Sequence, residues 1–123
     1  MQLALERGAI ERIAPSAEQA AAEAELVILA GPIRSLPDLM RATAAGARPG
    51  TVVTDVASVK TQVMRWAAEL LPSSVHFVGG HPMAGKEIQG VGAAEADLLR
   101  GCTYCVVEGS PEGSSGRRDP VVT

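Results

Sequence analysis

The residues best suited to acid–base chemistry fall in two short segments, Asp55-Val56-Ala57-Ser58-Val59-Lys60 and Gly79-Gly80-His81-Pro82-Met83-Ala84-Gly85. An imidazole gains or loses a proton near neutral pH, so His81 can act as a base or an acid. The Ser58 hydroxyl can hydrogen-bond either that imidazole or a bound molecule. Gly80 and Pro82 favour a stiff turn around His81. A helix opening after Ser58 would present free N–H groups to an anionic ligand. Each residue also has a purely structural reading: Ser58 as a helix N-cap, Asp55 as a turn brace, Lys60 as a solvated first-turn charge. The functional reading rests on their joint occurrence.

The flanking segments predict how these groups are held. Residues 26–30 (Leu-Val-Ile-Leu-Ala) form a continuous apolar run, the pattern of a strand covered on both faces, and Gly31-Pro32 ends it. Residues 51–55 are rich in β-branched side chains, and residues 75–78 form a third apolar run before the two glycines. Helices are expected between them. One spans residues 17–24 behind a Ser16/Gln19 capping box. A second follows Ser35 and Asp38 and stops near Gly46, with Leu36, Leu39 and Met40 on one face. A third runs from Ser58 to about Leu71, with Val59, Val63, Trp66 and Leu70 inward. A helix end at residues 3–8, an extended piece from Ile10 to Ile13, a short helix over residues 93–100 and a last strand over 103–107 complete the reading. Strand–helix alternation at this spacing predicts an α/β fold with a parallel, doubly wound sheet. Loops at the carboxyl ends of its strands then share one rim, where such sheets hold ligands.

Composition narrows the function. The chain is 46% hydrophobic but only 2% aromatic, so its interior is aliphatic. A formal net charge of −3 argues against a nucleic-acid or anionic-membrane surface. The longest apolar run is far too short to span a bilayer, and the expectation is a cytoplasmic protein. His76 lies inside a strand and reads as a packed or edge residue. Cys102 and Cys105 stand as C-x-x-C with no second pair to complete a zinc site, and no metal is expected. Residues 1–110 read as one domain and 111–123 as an unstructured tail, rich in Ser, Gly and Pro.

The Asp-x-x-Ser-Val-Lys segment, followed after one helix by Gly-Gly-His-Pro-Met-Ala-Gly, resembles the prephenate and arogenate dehydrogenases of tyrosine biosynthesis. The likeness runs from about Leu3 to Val107. It implies an incomplete Rossmann-like domain, lacking the first βαβ strands, and an oxidative decarboxylation dependent on NAD or NADP. It further implies that His81 assists loss of the ring-hydroxyl proton and that Ser58 orients His81 near the nicotinamide. Ala30, Gly31, Pro32, Asp55, Ser58 and Pro82 would border the cofactor. Ser58, His81, Lys86 and Glu87 would border the substrate, prephenate or arogenate. The family more often has Ser or Thr at the position of Lys86, and Lys-Ser where Ile88-Gln89 stand.

The resemblance places residue 1 at the helix after the family's second strand, and no G-x-G-x-x-G fingerprint occurs in the chain. It places the end before the helical domain through which an intact parent would form a homodimer. Two other readings stand beside it: a catalytically inactive or partner-dependent remnant, and a β-hydroxyacid dehydrogenase. The Gly-Gly-His-Pro turn disfavours the latter.

Overall fold

A computed structural model describes residues 1–85 and 90–108. In chain order it contains α1 (Gln2–Glu6), α2 (Ala17–Ala22), β1 (Leu26–Leu29), α3 (Leu36–Gly46), β2 (Val52–Asp55), α4 (Thr61–Leu70), β3 (His76–Pro82) and β4 (Tyr104–Glu108). A single 3₁₀ turn, Ile33–Ser35, leads into α3, and another, Val91–Ala93, follows the site. Lys86, Glu87 and the expected tail lie outside the described residues.

The four strands form one sheet in the order β1-β2-β3-β4. β1 pairs in parallel with β2, from Leu26↔Val52 to Leu29↔Asp55, and β2 in parallel with β3, from Val52↔His76 to Thr54↔Val78. These are the parallel strands expected. The last strand departs from expectation: β4 runs antiparallel to β3, from Val78↔Glu108 to Pro82↔Tyr104. A parallel return needs a crossover of a dozen or more residues, usually a helix. The expected helix over residues 93–100 is absent, replaced by a 3₁₀ turn and irregular turns, so the chain comes back as a hairpin. The sheet is therefore mixed.

Strand periodicity sorts the side chains. Val27, Leu29, Val53 and Phe77 share the face on which α3 and α4 pack, and the core there comprises Leu29, Leu36, Met40, Val53, Val63, Ala67 and Val75. Burying each of its Leu, Val and Met side chains contributes about 1.5–3 kcal/mol. α2 packs against α3, and its start is capped as the Ser16/Gln19 spacing predicted: the Gln19 N–H donates to Ser16 Oγ at 3.1 Å. Leu26, Ile28 and Val106 lie on the opposite face and stay 55%, 56% and 58% exposed, so β1 is covered on one face only and not on both as its continuous apolar run predicted. Ile10 to Ile13 forms no strand. Those residues find no ladder partner, and Ile13 remains exposed. Among the described residues no helix is long and apolar enough to cross a membrane.

Candidate active site

Because β1, β2 and β3 are parallel, their carboxyl ends meet along one rim. The register puts Leu29 beside Asp55, so Ala30-Gly31-Pro32 and Val56-Ala57-Ser58 leave the sheet as neighbours. Pro32 opens the 3₁₀ turn, and the Ser35 hydroxyl and N–H both donate to its carbonyl oxygen, at 2.7 and 2.9 Å. Ala30 and Pro32 are exposed on the rim and Gly31 half-buried.

β3 differs from expectation at the residues that matter most. Gly79, Gly80, His81 and Pro82 do not form a turn; they continue the strand, with His81 opposite Cys105 on β4. The residues of β3 alternate in the side to which their N–H and C=O groups point. The His76 N–H reaches back to Thr51, just before β2, at 2.9 Å, whereas the Met83 N–H bonds Thr103 beside β4 at 2.8 Å. Even-numbered residues therefore face β2 and odd-numbered ones β4. Pro82, which has no N–H to offer, falls on the β2 side after that ladder has ended, where the sheet asks nothing of it.

Beyond Thr54↔Val78, β2 no longer lies alongside β3, yet Gly80 is buried and its backbone must still be paired. Side chains do this. The Gly80 N–H donates to Asp55 Oδ1 at 3.1 Å, and Lys60 Nζ donates to the Gly80 carbonyl at 2.6 Å. Lys60 also forms an ion pair with Asp55 Oδ2, which accepts the Ala57 N–H at 2.9 Å as well. The Asp55 side chain is 0% exposed and that of Lys60 16%. Lys60 is thus an enclosed cation and not the solvated charge its position near a helix start predicted. Asp55 braces the loop as its structural reading anticipated, with both carboxylate oxygens occupied.

The second glycine is obligatory here. A Cβ on Gly80 would overlap the Tyr104 hydroxyl and stand 2.6 Å from the Asp55 carbonyl and 3.0 Å from Thr54 Oγ1. Tyr104, from β4, closes this side of the strand, and its hydroxyl lies 3.5 Å from the Asp55 carbonyl oxygen. Tyr104 and Lys60 were missed as site-forming residues. The signal for Lys60 was the acid–base pair flanking a four-residue loop, followed by two adjacent glycines.

Ser58 does not cap a helix. The helical turn starts at Thr61, with Lys60 in the cap position and no side-chain cap, so the first free helical N–H groups lie beyond Ser58. Ser58 and Val59 are exposed on the loop, and Val59 is no part of the buried face of α4. Among the described residues Ser58 and His81 are not hydrogen-bonded to each other. His81 is partly buried, and its Nδ1 is enclosed without a hydrogen-bond partner. An enclosed polar nitrogen without a partner is costly unless something pairs with it. His76 opens β3 and is exposed, away from the rim.

Comparison with known proteins gives this arrangement a context. Residues 1–114 match the family model described as the prephenate dehydrogenase nucleotide-binding domain. A prephenate dehydrogenase of Bacillus subtilis is 38% identical over 107 residues, covering 86% of this chain and 29% of that protein. Among solved structures, prephenate dehydrogenase of Aquifex aeolicus in complex with hydroxyphenyl propionate and NAD+ superposes with a TM-score of 0.78 at 26% identity, covering 88% of this chain and 37% of that one. Arogenate dehydrogenase of Synechocystis gives 0.75 at 30% identity, over 85% and 36%. The chain spans about three-tenths of the length of the curated relatives it matches.

Proposed function

The chain belongs to the family of prephenate dehydrogenase nucleotide-binding domains, and from that membership we propose that it supplies the catalytic rim of an NAD(P)-dependent dehydrogenase acting on prephenate or arogenate. The observation that carries this reading is the placement of His81. Its imidazole lies at the carboxyl end of the sheet on a strand locked from both sides, with an enclosed and unpaired Nδ1.

The residues present fit one end of a dinucleotide. Ala30, Gly31 and Pro32 follow β1 on the same rim as the loop that carries Ser58, and as small, mostly apolar residues they suit a flat ring that carries few polar groups. The glycine fingerprint that lets a backbone approach a pyrophosphate does not occur in these 123 residues. When bound, NAD or NADP supplies the hydride acceptor. In this proposal the chain's own work is to orient the substrate and handle its proton. His81 hydrogen-bonds the ring hydroxyl and takes its proton as hydride leaves the same carbon. Carbon dioxide departs, and aromatisation of the ring makes the step irreversible. Ser58, on the adjoining loop, orients the imidazole and borders the nicotinamide. Asp55 borders the cofactor only through its main chain, since its carboxylate is turned inward. Pro82, next to His81, borders the cofactor, and the family resemblance adds Lys86 and Glu87, which lie outside the described residues, on the substrate side.

The test follows reduced nicotinamide in the protein at its full natural length, with prephenate and arogenate each paired with NAD and NADP. His81→Asn is expected to lower turnover by ~10²–10⁴-fold, the usual contribution of a positioned acid–base group. The cofactor KM is expected to stay within a few-fold. No reduction with any of the four pairs, or near-normal turnover in His81→Asn, overturns the proposal.

A further inference from the structure

We propose that Asp55 and Lys60 are positioning residues that set His81 and Ser58 against each other; the inference rests on the functional reading above and gives these two side chains a role in it. One carboxylate reaches both sides of the site. Its Oδ1 holds the Gly80 N–H at 3.1 Å, one residue before His81, and its Oδ2 holds the Ala57 N–H at 2.9 Å, one residue before Ser58. Lys60, two residues after Ser58, closes the circuit by donating to that Oδ2 and to the Gly80 carbonyl at 2.6 Å. Each candidate catalytic side chain is thus attached to a backbone position fixed by the same ion pair.

A purely stabilising role accounts poorly for this arrangement. Desolvating two charges costs most of what their attraction returns, so an enclosed ion pair is weak support for stability. What it does supply is direction. A strand end paired by another strand can slide by fractions of an ångström along its ladder. Gly80 is instead fixed by a carboxylate on its N–H and an ammonium on its C=O, both charge-assisted and both directional. Tyr104 and Thr54 press the same residue from the open face of the sheet. His81 then leaves a segment whose position is determined on three sides, while its own backbone pairs with Cys105. The pair is also placed where the sheet needs it: β2 ends, and its last side chain and the next lysine continue the ladder.

The decisive experiment is Lys60→Met in the protein at its full natural length, beside Lys60→Arg and the doubly neutral Asp55→Asn/Lys60→Met. A misplacement of about 1 Å at a reacting group costs ~10²-fold, so Lys60→Met is expected to lower kcat by about 10–100-fold. The KM for the nicotinamide cofactor should change less than threefold. Lys60→Arg keeps a donor for the Gly80 carbonyl and should recover part of the loss. The His81 ring resonances, assigned by comparison with His81→Asn, should shift or broaden in Lys60→Met without any ligand present. A structural brace alone would lower melting temperature without that signature or that split between kcat and KM. Should Lys60→Met fail to fold, the double variant, which leaves no unpaired buried charge, decides by the same readouts. An active wild-type enzyme whose folded variant keeps kcat within threefold and the His81 resonances unmoved overturns the inference. An inactive wild-type protein would instead overturn the functional reading, and the ring resonances alone would then judge the positioning.

Discussion

Gly79 and Gly80 are neighbours in one strand, yet the structure assigns them different tolerances. A Cβ on Gly80 meets the Asp55 carbonyl at 2.6 Å, Thr54 Oγ1 at 3.0 Å and the Tyr104 hydroxyl closer still. The carbonyl belongs to the last residue of β2, whose side chain is itself held by three donors, so it cannot yield. On Gly79 the nearest atom is Met64 Sδ at 2.8 Å, the far end of a flexible side chain, followed by ordinary contacts at 3.4 and 3.5 Å. Overpacking a closed site costs roughly 1–3 kcal/mol. Replacing glycine where φ is not positive returns about 0.4–1 kcal/mol through the unfolded chain. Neither glycine has a positive φ. Gly80→Ala should therefore destabilise by ~1–2 kcal/mol and Gly79→Ala by ~0.5 kcal/mol or less. In a domain of this size ~1 kcal/mol moves the melting temperature by about 3–6 °C, so the two variants should separate in calorimetry. Gly92→Ala, with nothing within 4 Å and no positive φ, is the neutral control. Tyr104→Phe added to Gly80→Ala should recover only part of the loss, because the Asp55 carbonyl remains. Equal melting temperatures for Gly79→Ala and Gly80→Ala, or full rescue by Tyr104→Phe, would refute the packing argument.

Ser16→Ala removes the acceptor of the Gln19 N–H and should destabilise by about 0.5–2 kcal/mol, measured by denaturant titration; a change below ~0.2 kcal/mol would show that α2 needs no cap. β1 lies at the edge of the sheet, so about half of the amides of Leu26–Leu29 point away from β2 and should exchange fast in the dilute 123-residue chain. Slow exchange at all four in a demonstrated monomer would mean that the edge is covered from within.

Much of this fold was legible because local pattern and long-range structure agree in it. The inward Val27 and Leu29 of the run from Leu26 to Leu29, the β-branched Val52 and Val53, and the apolar spacing of Leu36, Met40 and Val63 each encode an element whose burial then selects it. The capping spacing of Ser16 and Gln19 was legible for the same reason. Elements failed where the deciding partner is distant in sequence. Residues 93–100 have helical composition, with Ala, Glu and Leu, yet they form turns that leave Leu99 exposed, and the chain returns as β4 beside β3. Ile10 and Ile13 have strand propensity and no strand to pair with, and propensity alone does not hold a ladder together.

The candidate site shows the same division at finer grain. Residue types together with their places at or just after the ends of apolar strands marked His81, Ser58 and Asp55. Their arrangement was harder to read, because glycine and proline are local signs of a turn while their roles here are set across the sheet. Gly80 is glycine because Tyr104, 24 positions later, and Asp55, 25 positions earlier, leave no space for a side chain. Pro82 is tolerated because its missing N–H points to the side where β2 has ended. Lys60 has the structural reading of a solvated first-turn charge because its partners lie outside its own helix, a carboxylate five residues back and a carbonyl twenty residues on. Such contacts leave a trace in sequence only as a combination: an acid and a base around a short loop, then adjacent glycines before a histidine. Each member is commonplace alone, and together they require a strand whose ladder is completed by side chains.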